Sequence, residues 1–394
     1  MTLKVAIAQV DMLVGGIKQN CQTIIDIAIK ARDEGVARVI VFPELSLMGY
    51  PPEDLLLKPE LASEVESALA DILEQVKDIY LVLGYPKHLD GGLYNCAGVL
   101  FNGVLIAEYH KQKLLDYRMS DDKRYFETGN EALVCDIDGV RVGLSISEDI
   151  HHDGPVALAK EAGAQVLFNL SALPLNIEKT GGEEAVFHQR AKEVNLPIIY
   201  VNYMGAQDEF VFAGGSFVVN SEGVKVYQAP WYEVGLHYID LTSRPVINAE
   251  GEEVYLIEPV SGYICPPLSI EKHVYQGLVL GLKDYIKKNG FTGVMIGLTQ
   301  GVGSALSLTI AVDALGADNV KGVICSHTIH NTEIGASLVA LAHHLGVAVE
   351  QLDTTPMIAP YKASLSLLTK KHAETISDTR LEIRMRSMLL LSLA

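Results

Sequence analysis

Three polar side chains in the first half of the chain stand where apolar runs stop. Glu44 follows VIVFP, Lys111 follows VLIAEYH, and Ser147 lies inside VGLSISEDI, directly ahead of Glu148 and Asp149. A carboxylate, an ammonium and a hydroxyl placed at strand ends are candidate active-site groups. Strand ends suit such groups, because the scaffold there is rigid and the loops leave room for a substrate. Taken singly, each residue is equally well read as a solvated strand end.

A second stretch with chemical possibilities is VMIGLTQGVGSALSL, residues 294–308, which reads as strand, tight loop and helix. Its candidate nucleotide-binding positions are Gly297, Thr299, Gln300, Gly301, Gly303 and Ser304. Small residues let backbone N–H groups wrap a phosphate, and a helix N-terminus adds favourable potential. By itself the loop is a weak signal, and a plain strand–helix turn fits as well. The run His151-His152-Asp153 offers metal-binding side chains, but neighbours in one loop rarely converge on one ion. It is read as a solvated loop, and no metal site is expected.

The elements that must position these groups alternate. LKVAIAQV is strand-like, IKQNCQTIIDIAIKARDEG carries apolar residues at helical spacing, and ARVIVFPE is a buried strand. Two hairpins follow, each turning at a Gly-containing step, then strands and helices in alternation up to the hairpin GSFVVNSEGVKVYQ. The expectation is a layered α/β domain with a mixed sheet over residues 1–240. Periodicity fades over 241–268, a Pro-, Gly- and Glu-rich stretch read as a linker. It resumes over 269–394 with a long helix stopped at Gly290 and a Rossmann-like run of parallel β/α units. The chain ends inside an apparent helix, TRLEIRMRSMLLLSLA.

Composition bounds the partners. The chain has 394 residues, enough for two or three domains at roughly 150 residues each. A formal charge of −18 argues against nucleic acid and anionic membrane, and no apolar run reaches membrane-spanning length. Five scattered cysteines without a CxxC pair suggest a reducing compartment, so the cytoplasm is expected.

Read together, FPELSLMGYPPEDLLLKPE, YHKQKLLDYRMSDDKRYFETG, SISEDIHHDGP and NYMGAQDEFVFAGGSFV are similar, in order and spacing, to the nitrilase-type glutaminase domain of glutamine-dependent NAD synthetases. The resemblance implies an α-β-β-α sandwich that associates into a homo-oligomer. It assigns Glu44 as base, Lys111 as oxyanion partner and position 147 as nucleophile, with Tyr117, Glu148, Ser171 and Lys179 as glutamine-binding residues. The family uses a cysteine at this last catalytic position, and this chain has Ser147. After the linker, VYQGLVLGLKDYIKKNGF and SALSLTIAVDALGADNVKGV resemble the start of the synthetase domain, an ATP pyrophosphatase. ATP, Mg²⁺ and deamido-NAD are its implied ligands. The family loop Ser-Gly-Gly-x-Asp-Ser reads here Thr299-Gln300-Gly301-Val302-Gly303-Ser304, without the carboxylate. The resemblance further implies a second half of that domain after residue 394, so the synthetase part is expected to be incomplete.

Three readings stay open on the sequence. The chain is a catalytically impaired pseudoenzyme of this family, acting as scaffold or regulator; or an active member in which Ser147 is tolerated or engineered; or a different amidase using Glu44, Lys111 and Ser147.

Overall fold

The computed structural model describes residues 2–115, 121–179, 182–247, 253–299, 301–325, 333–368 and 376–393. These divide into two units, Met1–Gly277 and Leu278–Ala394.

In the first unit, β1 (Thr2–Gln9) sends Leu3, Val5 and Ile7 to one side and Ala6 and Ala8 to the other, and both sides are buried. The chain continues through α1 (Ile17–Asp33), β2 (Val39–Val41), α2 (Leu61–Gln75), β3 (Tyr80–Leu89), β4 (Gly92–Phe101) and β5 (Val104–His110). Next come α3 (Asp122–Tyr125), β6 (Val134–Ile137), β7 (Val140–Ile146), α4 (Asp153–Glu161), β8 (Val166–Leu170) and α5 (Gly182–Val194). Then follow β9 (Ile198–Val201), β10 (Met204–Gln207), β11 (Phe210–Ala213), β12 (Phe217–Val219), β13 (Lys225–Gln228), β14 (Gly235–Ile247) and β15 (Glu253–Pro259).

Two mixed sheets result, ordered β15-β14-β1-β2-β3-β4-β5 and β13-β12-β9-β8-β7-β6. They face each other across one apolar layer, where Val5, Val41 and Val99 of the first sheet meet Leu144, Phe168 and Val201 of the second. The outer face of the first sheet is covered by α1 and α2, and that of the second by α4 and α5. This is the α-β-β-α sandwich expected from the sequence. Helix α1 covers its sheet because Ile17, Cys21, Ile24, Ile25, Ala28 and Ala31 recur at helical spacing and are all buried. The two hairpins turn at Asn102-Gly103 and Asp138-Gly139, each pair at positive φ, the requirement of a tight two-residue turn.

The expected linker is a correction. β14 extends to Ile247 and pairs antiparallel with β15, from Leu241 opposite Pro259 to Ile247 opposite Glu253. Beyond it, Gln228 N donates to Tyr263 O and Cys265 N to Gln228 O, which pins residues 263–265 to β13. These are edge elements. Ile257 is buried between the sheets while Tyr255 is exposed, so the apolar content is too thin to read as strand.

Helix α6 (Ile270–Lys288) is followed in the second unit by β16 (Val294–Gly297), α7 (Val302–Leu315), β17 (Val320–Cys325) and α8 (Glu333–His344). The unit ends with β18 (Ala348–Leu352), α9 (Thr355–Leu368) and α10 (Ile376–Leu393). Strands β16, β17 and β18 form a parallel sheet in that order, over a core of Leu298, Leu308, Ala311, Val320, Ile324, Ala342 and Val347. Among the described residues no helix is long and apolar enough to cross a membrane.

Candidate active site

Glu44 lies three residues past the end of β2 in a turn pressed against β3. Gly84 makes that approach possible: a Cβ there would lie 2.3 Å from the backbone N of Leu45. Lys111 follows β5, its backbone N donating to Asn95 O at 2.9 Å. Its side chain is fully buried, and Nζ donates to Glu44 Oε1 and to Asp122 Oδ2, each at 2.7 Å. Asn95 Nδ2 donates to the same Glu44 oxygen at 2.8 Å. Glu44 Oε2, also buried, has no hydrogen-bond partner among the described residues. A carboxylate held by one oxygen with the other free is arranged to take a proton from a ligand or nucleophile.

One buried cation therefore serves two buried carboxylates. Burial pushes the Glu44 carboxyl above the ordinary range, Lys111 pulls it down and Asp122 pushes it up. Burial opposes the charge on Lys111 too, but Glu44 and Asp122 hold its pKa well above the usual value. The ammonium stays charged and ties the site together.

Ser147 opens a 3₁₀ turn, residues 147–151, at the end of β7, with φ of +44°. A non-glycine residue in this left-handed region carries strain of about 1–2 kcal/mol, so its surroundings must hold it there. Asn169 Nδ2 donates to Ser145 Oγ at 3.0 Å and reaches Ser147 O at 3.4 Å, while Ser171 Oγ donates to Asn169 Oδ1 at 2.7 Å. From the far end, Arg190 donates to Ile150 O and His151 O, each at 3.1 Å. Asp149 joins the turn to the Lys111 segment. Its Oδ2 accepts from Ile146 N at 2.9 Å and Tyr109 OH at 2.8 Å, and its Oδ1 from Gln112 N at 3.0 Å and Lys113 N at 2.7 Å. Burial pushes the Asp149 carboxyl above the ordinary range, and the donors around it pull the other way.

The structure thus joins Glu44 directly to Lys111, and ties the Ser147 turn to the Lys111 strand end. Of the expected glutamine contacts, Ser171 is buried and supports Asn169, and Glu148 pairs at the surface with His152 at 3.5 Å. Tyr117 and the Lys179 side chain lie outside the described residues. Asp122, Asn95 and Gly84 were not singled out from the sequence. Only Gly84 left a trace there, as a lone glycine inside an apolar strand. A cavity of about 210 Å³ opens beside Asp122, lined also by Tyr50, Asp54, Arg124, Tyr125 and Phe210.

Cys96, Glu108 and His110 have ligand-type atoms within 4.8 Å of one another. Lys87 Nζ lies 2.8 and 3.0 Å from the two Glu108 oxygens, and Tyr85 OH donates to Oε2 at 2.6 Å. The cation position beside this carboxylate is filled by the Lys87 ammonium.

In the second unit the loop after β16 closes on itself. Ser304 Oγ donates to Thr299 O at 2.5 Å and accepts from Thr299 N at 3.3 Å. Gly301 has φ of +132°, and among the described residues a Cβ at Gly301 or Gly303 would meet nothing within 4 Å, which leaves a phosphate room to approach. Gly297, by contrast, lies under α10, where a Cβ would sit 2.7 Å from Leu390 Cδ1. Gln300 lies outside the described residues. The first turn of α7 holds no acidic residue, and Gly303 supplies no carboxylate. The backbone suits a phosphate; the described residues of the loop offer Mg²⁺ hydroxyls but no carboxylate.

Comparison with known proteins matches both parts of the chain. The family described as carbon-nitrogen hydrolase matches residues 4–248, and NAD synthase matches residues 274–394. The glutamine-dependent NAD(+) synthetase of Acinetobacter baylyi is 32% identical over 394 residues, covering 100% of this chain and 70% of its own. That of Xylella fastidiosa (strain Temecula1) is 35% identical over 400 residues, covering 100% and 71%. Among solved structures, glutamine-dependent NAD+ synthetase from Acinetobacter baumannii, in complex with ADP, superposes with a TM-score of 0.92 at 32% identity, covering 100% of this chain and 72% of that one. An amidase from Nesterenkonia sp. AN1 has a TM-score of 0.55 at 25% identity, covering 61% of this chain and 90% of that one. That amidase was captured with the acetamide moiety of fluoroacetamide added covalently to its active-site cysteine. With both of its parts matched in order and relatives above 30% identity over its whole length, the chain belongs to the glutamine-dependent NAD(+) synthetase family.

Proposed function

We propose that the first unit binds glutamine at Glu44, Lys111 and Ser147 but hydrolyses it very slowly or not at all, making the chain a catalytically impaired member of its family. What supports this reading is Ser147, a hydroxyl at the position where the family carries its nucleophile, together with the buried Glu44–Lys111–Asp122 cluster. In the intact reaction a thiolate attacks the amide carbon, the C–N bond breaks as Glu44 returns the thiol proton to nitrogen, and water hydrolyses the thioester. Lys111 stabilises the oxyanion. A thiol with pKa near 8.5 gives up its proton to a carboxylate far more readily than a hydroxyl does, and serine nucleophiles are usually paired with histidine. Glutamine would be held by Glu44 Oε2 at its amide; the family resemblance names Tyr117, Glu148, Ser171 and Lys179 as its further contacts.

For the second unit we infer ATP binding that is weak and independent of Mg²⁺, since the loop keeps its room but lacks a carboxylate. Deamido-NAD is the second implied ligand there, and association into a homo-oligomer through the first unit is part of the same reading. The test is titration calorimetry of the natural chain with glutamine and, separately, glutamate. Saturable glutamine binding that Glu44→Gln weakens at least tenfold supports the reading. Absence of binding, or equal affinity for glutamate, overturns it.

A further inference from the structure

We infer that Asp149 is the positioning residue that holds the nucleophile turn in register with the Lys111 half of the site. The inference rests on reading Glu44, Lys111 and position 147 as one site, and goes beyond it by naming what assembles that site. The two halves come from different sheets: Lys111 follows β5 of the first, and Ser147 follows β7 of the second. Nothing in their local sequence fixes the distance between them. Asp149 spans the gap with four donors, two on each oxygen. Ile146 N ends β7 directly ahead of the turn, Gln112 N and Lys113 N follow Lys111, and Tyr109 OH comes from β5 itself.

Two features mark this as more than a buried carboxylate that happens to be satisfied. Asp149 is completely buried, yet all four partners are neutral, so its charge is used to draw in N–H and O–H groups rather than to pair with a cation. Ile146, which it grips, immediately precedes Ser147, the residue held at positive φ. Releasing that N–H frees the turn to relax toward ordinary backbone angles and moves the position 147 side chain away from Glu44 and Lys111. An asparagine cannot fully replace the carboxylate: an NH₂ in place of Oδ1 faces the N–H groups of Gln112 and Lys113, and in place of Oδ2 it faces the Ile146 N–H, although the Tyr109 hydroxyl can turn to accept from it.

The experiment uses the full chain carrying Ser147→Cys, so that the nucleophile position reports on itself. Iodoacetamide alkylation of the introduced thiol is followed peptide by peptide by mass spectrometry, with buried Cys21 and Cys96 as internal monitors of unfolding. Adding Asp149→Asn is expected to slow alkylation at position 147 about tenfold or more, since a misplacement of ~1 Å can cost on the order of 100-fold. Cys21 and Cys96 stay as slow as before, which a merely structural loss would not allow. Tyr109→Phe, removing one donor, gives a smaller slowing and decides the matter if Asp149→Asn does not fold. An unchanged rate at position 147 in both variants overturns the inference, as does slowing that occurs only together with faster alkylation of Cys21 and Cys96. Glu44→Gln in the same background separates the two proposals. If it leaves the pH profile of the introduced thiol unaltered while Asp149→Asn slows the reaction, the site reading fails and the positioning role stands.

Discussion

Replacing Lys111 with methionine tests the buried cluster most severely. The Lys111 side chain has 0% exposure, and its two carboxylate partners have 1% and 5%, with both contacts at 2.7 Å. At an effective dielectric constant near 20, each contact carries a gross attraction of about 6 kcal/mol, mostly offset by the cost of burying the charges. Removing one partner from such a cluster leaves uncompensated buried charge, and the net loss expected is about 3–5 kcal/mol. For a unit of this size that lowers Tm by roughly 6–10 °C at pH 7. The sign of the pH dependence follows from Glu44. Its folded-state pKa is already raised by burial, and Lys111 is the main influence holding it down. Without Lys111 the folded state binds a proton more tightly still. Stability then falls as pH rises from the ordinary Glu value near 4.5 up through the higher folded-state value. Differential scanning calorimetry at pH 5 and pH 7 is the assay. The Lys111→Met deficit should be clearly smaller at pH 5. A Tm loss below about 2 °C at pH 7, or one equal at both pH values, would refute the reasoning.

Gly84→Ala places a Cβ 2.3 Å from Leu45 N, so the Glu44 turn must shift; we expect a stability loss of about 1–3 kcal/mol and loss of glutamine binding by calorimetry. Phe168→Ala opens the layer between the two sheets, where Phe168 is fully buried, and should cost about 3–5 kcal/mol by denaturant titration. In the second unit, ATP binding followed by calorimetry should be unchanged when Mg²⁺ is removed by chelation. Gly303→Asp, whose side chain has open space to enter, should make it Mg²⁺-dependent.

Much of the architecture was legible because burial on both faces leaves dense periodic signals. β1 alternates its core residues between two layers, and α1 repeats them at helical spacing. β14 and β15 were not legible beyond Asp240, since they lie at a sheet edge, bury few side chains and contain Pro245, Glu253 and Glu258. Glu44 and Lys111 could be found because each follows a strong apolar run. Asp122 could not: it sits among Asp121, Lys123 and Arg124, where a charged residue reads as solvated surface. Its burial depends on the fold bringing α3 beneath Lys111, a contact that local pattern does not encode. Asp149 was visible only as part of a motif. Three of its four hydrogen bonds cross from one sheet's strand end to the other and belong to the tertiary structure alone.

In the proposed function, position 147 is the missing part of an otherwise assembled glutaminase site. Ammonia release from glutamine, measured side by side for the natural chain and Ser147→Cys, tests it most directly. The account predicts no release above the buffer background from the natural chain and turnover by the variant. Turnover by the natural chain at a rate comparable to the variant, or silence from both, would contradict it.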